Sequence, residues 1–311
     1  MSYYKVVKAA AAQISPIFPF NKGETIEKAV SYVEKAVVEK ANIIVFPECF
    51  VPAYPNWNLD FDHPTKWEEE LADFTANCVN IEKGDLEPIQ RAAKENNMII
   101  VIGINEIVSN YDGIIYNSLV TIDENGDIRN VHRKIFPTQR EKMFHKRGDT
   151  EGLKVVDTNM GRIGGLICYE HLQPLVKYAL ISQGEQIHCA SWPGWPDFTN
   201  GRSNKGVIET ASKSYALEGQ CFVIVSSLYV PKEEMAKANL GNAHWNYFGG
   251  SAIISPSGEY LAGPLYDREG IIYADLHFNL IVKRKATVDT TGIDTYPEGL
   301  TLTVGGQTRT D

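Results

Sequence analysis

The chain has 311 residues, 43% of them hydrophobic and 22% charged, enough to bury a globular core without disulfides or metals. A net charge of −9 argues against nucleic acid or an anionic membrane as a partner, since both require clustered Lys and Arg. The five cysteines are scattered with no CxxC pair, and apolar runs of about 18 residues are lacking; zinc, a disulfide framework and a membrane span are all unsignalled, and a cytoplasmic protein is expected.

Residues 5–13 form an apolar run suited to a buried strand, and the N-terminus reads as that strand and not as a signal peptide. From Glu24 to Val38, the positions Ile26, Ala29, Val30, Val33, Ala36 and Val37 follow helical spacing. Ile43–Phe46 is a short strand ended by Pro47. A helix over about 86–96 feeds a strand from Met98 to Ile104, giving the β-α-β-α-β rhythm of an α/β protein. Ile114–Ile122 and Ile128–His132 then flank an Asn-Gly turn and read as a hairpin. Arg162–Ile167 is a strand, followed by a helix from about Glu170 to Ser182 and the strand Gln186–Ser191. A helix near 203–218 and the strand Cys221–Ser227 follow. A second hairpin spans Gly250–Ser255 and Tyr260–Ala262. Antiparallel hairpins between βαβ units imply mixed sheets. Without a linker or repeat, residues 1–290 read as a single domain and 291–311 as a polar tail.

Three segments put a reactive side chain directly after an apolar strand, the end at which α/β sheets bind ligands. The first is Phe46-Pro47-Glu48, where a surface carboxylate is the bland reading. The second is His132-Arg133-Lys134-Ile135-Phe136-Pro137-Thr138, where three bases in a row usually make a solvated face. The third is Gly164-Gly165-Leu166-Ile167-Cys168-Tyr169-Glu170-His171. A thiol at a strand-to-helix turn faces the positive end of the helix, which favours a thiolate; a small buried hydrophobe is the alternative.

Together the three segments resemble the signature of the nitrilase superfamily of carbon–nitrogen hydrolases: a Glu, a Lys and a Cys on three strand-end loops in that order. The resemblance runs from the first strand to about Thr290. Lys134 to Gly148 is similar to the nitrilase branch's Lys-x-x-Pro-Thr-x-x-Glu-Arg pattern and aligns a second acid at Glu141. Cys168 to Leu175 and Gly184 to Pro193 look like nitrilases acting on aryl or arylaliphatic nitriles. Amidase and carbamoylase branches usually carry Asp two residues after the cysteine, so Glu170 favours nitrilase. Two departures stand out: Tyr169 occupies a position usually held by Trp, and Ile293-Asp294-Thr295-Tyr296-Pro297 replaces the family's C-terminal stretch.

The resemblance implies an α/β fold, a four-layer α-β-β-α sandwich with mixed sheets. It also implies hydrolysis of organic nitriles to carboxylic acids and ammonia through a covalent thioimidate and thioester. Cys168 is the expected nucleophile and Glu48 the proton carrier. Lys134 holds developing charge with help from the Tyr169 N–H, and Glu141 orients Lys134. Neither metal nor organic cofactor is called for. Tyr54, Tyr169, Trp192 and His171 are the expected substrate-binding residues, with Trp57 and Trp195 as further aromatic walls; buried structural roles are the competing reading for these aromatics and for His171. A small-molecule nitrile is the expected partner, and a homodimer or higher homo-oligomer the expected assembly. Alternatives are an amidase or cyanide-processing enzyme on the same scaffold, or a catalytically silent binding protein.

Overall fold

The computed structural model describes residues 4–55, 64–109, 113–195, 203–237, 247–292, 302–304 and 307–309. Trp57 and the Ile293–Pro297 stretch lie outside them.

The first half builds one sheet. β1 (Val6–Gln13) leads through α1 (Lys22–Val38) to β2 (Ile43–Val45). Two helices follow, α2 (Pro64–Asn77) and α3 (Glu87–Asn96), then β3 (Ile99–Ser109), β4 (Ile114–Ile122) and β5 (Ile128–Arg133). The second half opens with β6 (Val156–Thr158) and β7 (Gly161–Ile167). It continues through α4 (Pro174–Ile181), β8 (Ile187–Trp192), α5 (Asn204–Gly219), β9 (Phe222–Ser227) and the short α6 (Lys232–Lys237). β10 (Gly249–Ile254), β11 (Tyr260–Tyr266), β12 (Gly270–His277) and α7 (Asn279–Lys285) complete the two sheets.

Each sheet has six strands, in the orders β12-β1-β2-β3-β4-β5 and β11-β10-β9-β8-β7-β6. Parallel pairing is confined to the centres, β1-β2-β3 and β7-β8-β9, with antiparallel strands outside them. Alternation sorts the apolar residues. Val7, Ala9 and Ala11 pack with Ile43, Val45, Ile99 and Val101 against the second sheet. Ala10, Ala12, Ile44, Ile100 and Ile102 face α1 and α3, which supply Ala29, Val33, Ile89 and Ala93. Helices α4 and α5 cover the other side of the second sheet through Val176, Leu180, Ile208 and Tyr215. The result is the expected α-β-β-α sandwich. Burial on both faces explains why the central strands read as continuous apolar runs.

Several elements differ from the sequence reading. The helix expected from Glu170 to Ser182 is broken: a 3₁₀ turn covers Cys168–Leu172, and the α-helix begins only at Pro174. Proline disfavours helical backbone in the residue before it, and Gln173 is extended at φ −104°, ψ 103°. Helix α2, strand β12 and helix α7 carry no expected element. Strand β12 pairs antiparallel with β1 along its whole length. Within the expected polar tail, β13 (Leu302–Val304) and β14 (Gln307–Arg309) form a small antiparallel pair. Among the described residues, none of the helices is long and apolar enough to cross a membrane.

Candidate active site

Strand β5 is antiparallel to β4, and β4 to β3, so β2, β3 and β5 share a direction and their carboxyl ends share an edge. Glu48 leaves β2 at that edge and Lys134 leaves β5. The Glu48 loop crosses tightly over β3 at Gly103. A Cβ there would lie 2.2 Å from the Pro47 carbonyl oxygen and 2.8 Å from the Glu48 Cα, so only glycine permits the crossing. Cys49, Gln139 and Cys168 all have left-handed backbones, at φ 48°, 49° and 51°. A left-handed non-glycine residue costs on the order of 1–3 kcal/mol. Each of the three expected site loops therefore holds one strained residue.

Lys134 is 1% exposed, and its Nζ donates to Glu48 Oε1 at 2.7 Å and Glu141 Oε1 at 2.8 Å. The three consecutive bases thus diverge instead of forming one solvated face. His132 is buried against Glu170, while Arg133 forms a two-pronged pair with Glu106 and lies over the Tyr116 ring. Burial opposes the charge on Lys134, but the two glutamates outweigh it and hold its pKa well above the usual lysine range.

The two glutamates part company through their other partners. Burial pushes Glu141 up, yet Lys134, His145 and the Tyr54 hydroxyl together bring it below the usual range. Tyr54 donates to Glu141 Oε1 at 2.6 Å, and the Thr138 N–H donates to Oε2 at 3.0 Å. Glu48 is less well supplied. Its Oε1 accepts from Lys134 and from Asn117 Nδ2 at 2.7 Å, while buried Oε2 has no hydrogen-bond partner among the described residues. Burial dominates, and the Glu48 pKa rises to about 7. Two carboxylates on one ammonium are thereby driven apart, Glu48 upward and Glu141 below the usual range.

Cys168 sits at the end of β7 and is 2% exposed. Burial, then the charge of Glu48, push its thiol well above the usual range, against the pull of Lys134 and of a hydrogen bond from the Tyr169 backbone. This corrects the expectation of a helix-stabilised thiolate. The helix dipole acts only within about one turn of a helix end, and here α4 starts at Pro174, beyond the 3₁₀ turn. Burial and the charge of Glu48 favour the thiol form of Cys168, which lies within electrostatic reach of Glu48, Lys134 and Glu141.

Glu170 ties the two sheets' loops together. Its Oε2 accepts from the Ile167 N–H at 2.9 Å and pairs with His132 Nε2 at 2.8 Å, while Oε1 accepts from the Ile135 N–H at 2.9 Å. The chain flanking Cys168 and the chain flanking Lys134 are thus strapped to one carboxylate. Sequence reasoning used Glu170 only as a mark of the nitrilase branch. It also missed Asn117, which binds Glu48 by its side chain and accepts from the Lys134 N–H at 2.8 Å by its carbonyl. The available signal was a polar Asn-Ser step inside the apolar run Ile114–Ile122.

Beside Cys168, a cleft of about 220 Å³, open solvent included, is lined by Tyr169, Trp192, Trp195, Asn204 and Val207, among others. Of the expected substrate-binding residues, Tyr169 and Trp192 line this cleft. Tyr54 and His171 do not line it. The Tyr54 hydroxyl is committed to Glu141, and the ring nitrogens of His171 meet the Cys168 carbonyl and His188. The larger hollow between α1 and α2, about 1150 Å³ and open to solvent, holds none of these groups.

Residues 8–286 match the carbon–nitrogen hydrolase family. The chain is 35% identical to an arylacetonitrilase of Aspergillus oryzae, over 96% of this chain and 91% of that one. It is 34% identical to an aliphatic nitrilase of Rhodococcus rhodochrous, over 100% and 82%. The crystal structure of Saccharomyces cerevisiae Nit3, a member of branch 10 of the nitrilase superfamily, shares the fold with a TM-score of 0.75. Its identity is 21%, and the match covers 95% of this chain and 99% of that one. With the sandwich, the matched residues and these relatives in agreement, this chain belongs to the carbon–nitrogen hydrolase family, within the nitrilase superfamily.

Proposed function

We propose that this protein is a nitrilase that hydrolyses organic nitriles to carboxylic acids and ammonia, with Cys168 as nucleophile, Glu48 as proton carrier, and Lys134 and Glu141 completing the site. The observation that carries the reading is the asymmetry of Glu48. One oxygen is held by Lys134 and Asn117, the other is buried without a partner among the described residues, and the pKa lies at about 7. A base poised near neutral pH beside a thiol that is not itself ionised suits general-base activation.

Glu48 takes the Cys168 proton as the S–C bond forms, and passes it to the nitrile nitrogen to give a thioimidate. Water then adds, with Glu48 carrying one of its protons to nitrogen and then the second, from the hydroxyl of the tetrahedral intermediate; ammonia leaves as the C=O forms, and a thioester remains. A second water, activated in the same way, releases the acid and restores the thiol. Lys134 and the Tyr169 N–H balance the charge on the atom that gains electrons at each attack. The aromatic walls Tyr169, Trp192 and Trp195 favour nitriles with an apolar or aromatic group.

Residues 1–290 act as one catalytic unit in this reading, and scattered, buried cysteines suit a reducing cytoplasm. The outer layer formed by α4 and α5 leaves Leu172, Leu175 and Leu217 at 54%, 75% and 41% exposure, which supports pairing of two copies through these helices. Light scattering at micromolar concentration tests that pairing, and a monomer mass overturns it.

The test of function is ammonia and acid release from phenylacetonitrile, a short polar nitrile, phenylacetamide and cyanide, for wild type and Cys168→Ala. Wild type should prefer the aromatic nitrile, and the variant should be folded and inactive. Faster turnover of the amide or of cyanide overturns the nitrile assignment, and an active Cys168→Ala overturns the nucleophile.

A further inference from the structure

Behind the nucleophile, away from the cleft, lies a row of buried groups that the reaction above does not use. His171 Nδ1 meets the Cys168 carbonyl oxygen at 2.7 Å, and its Nε2 meets His188 Nε2 at 2.9 Å. His188 Nδ1 meets Glu185 Oε1 at 2.8 Å, and the Tyr215 hydroxyl donates to Glu185 Oε2 at 2.6 Å. The His171 ring stacks on Trp192 and the His188 ring on Tyr215. Gly164 makes room for the end of the row, since a Cβ there would lie 2.2 Å from Glu185 Oε1.

The protons of this row can be counted. A carbonyl oxygen only accepts, so His171 Nδ1 carries a hydrogen. Each of the next two contacts, His171 to His188 and His188 to Glu185, needs one hydrogen between its heavy atoms. Two neutral imidazoles supply two hydrogens, and the row needs three. The added proton offsets the Glu185 carboxylate, so the row is electrically neutral as a whole. Burial and the neighbouring His188 hold His171 well below the usual histidine range, so its own ring stays neutral within the row.

The row ends on one edge of the Cys168–Tyr169 peptide. The other edge of that peptide is the Tyr169 N–H, which reaches the Cys168 sulfur. A peptide group is planar, so fixing its carbonyl fixes its N–H. Cys168, which carries this peptide, holds a left-handed backbone, φ 51°.

We infer that Glu185, His188 and His171 form a positioning relay that locks the Cys168–Tyr169 peptide, keeping the Tyr169 N–H aimed at the sulfur and at the substrate atom that gains negative charge. The inference rests on the reaction proposed above. His171 is thereby a positioning residue behind the nucleophile and not a substrate contact.

The test compares His171→Ala with His171→Asn, whose amide nitrogen replaces Nδ1 as donor to the Cys168 carbonyl. Three quantities are read in the full chain: kcat and KM with a nitrile that wild type turns over, and the rate of Cys168 alkylation by iodoacetamide. Loss of one such donor costs roughly 10²–10³-fold in turnover. His171→Ala should therefore lose about 10²-fold in kcat, with KM little changed. Alkylation should fall by no more than about threefold, because it builds no negative charge on a nitrile or carbonyl atom and the Tyr169 N–H is only one of several groups that bear on the thiolate. His171→Asn should recover most of the lost kcat. An unchanged kcat in His171→Ala, a parallel collapse of kcat and alkylation, or an asparagine variant no better than alanine each overturns the relay. If His171→Ala does not fold, His171→Gln, with its amide displaced by one methylene, takes its place under the same criteria. Cys168→Ala separates the two readings: if it is inactive while His171→Ala is fully active, the relay alone fails, whereas an active Cys168→Ala removes the reaction itself.

Discussion

On the first sheet, Lys134 lies between Glu48 and Glu141, two carboxylates to one ammonium. Behind Cys168 on the second sheet, His188 lies between His171 and Glu185, and the count of hydrogens leaves that row neutral. Both groups are buried and both are linked by short hydrogen bonds. The first carries one negative charge too many; burial, and after it the charge of Glu141, push its less well-bonded member, Glu48, to about 7 against the pull of Lys134. In the proposed reaction that buried surplus serves acid–base exchange, while in the inferred relay the balanced row serves as a brace.

The sharpest way to break this contrast is to remove the cation. Lys134→Ala leaves two buried carboxylates facing each other, and breaking a buried pair costs about 3–5 kcal/mol. Turnover should fall on the order of 10³-fold, the scale of losing a preorganised charge stabiliser. Ammonia release and thermal melts measure both; retention of more than about a tenth of wild-type rate would show that the charge on Lys134 is not used in the transition state.

Next, Glu48→Gln should lower turnover by roughly 10²–10⁴-fold. In wild type the carboxylate is the active form, so kcat/KM should rise with pH through about 7. The stability effect has the opposite sign. Because folding raises the Glu48 pKa from 4.5 to about 7, its contribution is fully present below 4.5 and is lost as pH rises to 7. Relative to Glu48→Gln, wild type should therefore lose on the order of 3 kcal/mol across that window. Melts of the two proteins that run parallel from pH 4.5 to 7.5 would break the surplus-charge account.

A smaller effect is expected where the two regions are joined. Glu170→Gln turns an acceptor toward a donor at one of the Ile135, Ile167 and His132 contacts, at a cost of about 1–3 kcal/mol. Turnover should drop about tenfold, since a small displacement of positioned groups is costly. A lowered melting temperature with unchanged kcat would make Glu170 a stabiliser of the fold alone. The least effect belongs to Tyr54→Phe, which removes one of the bonds holding Glu141 low. About 1 kcal/mol of stability and a few-fold in rate are expected. A hundredfold loss in rate would mean that the Tyr54 hydroxyl takes part directly.

The central strands were legible as continuous apolar runs buried on both faces, and helix α1 as a clean helical period. Strand β12 was hidden: its residues are mostly half-exposed, and nothing local marks a strand whose partner β1 lies at the opposite end of the chain. The Glu48, Lys134 and Cys168 segments could be read as a set because each ends a strand, although Lys134 alone resembled part of a surface run. Asn117 and the Glu170 strap were invisible for a different reason. Their importance comes from what faces them across strands and loops, and a single sequence carries no trace of that pairing. The thiolate reading of Cys168 failed because burial and like charge, neither of which shows in the local sequence, outweigh a helix that starts too late.

The pairing of β1 with β12 also bears on how the protein is made. Strand β1 is synthesised before the other strands of its sheet, yet one of its edges is filled only by residues 270–277. Until those residues have been synthesised, an alanine-rich strand presents unpaired N–H and C=O groups, a template for pairing with another chain. Vectorial synthesis therefore leaves the first sheet open while the second is being built, and closure waits for the last strand. Stalled or truncated chains ending before residue 270 should be found with chaperones or in inclusion bodies, even though every residue proposed for the chemistry has already been translated.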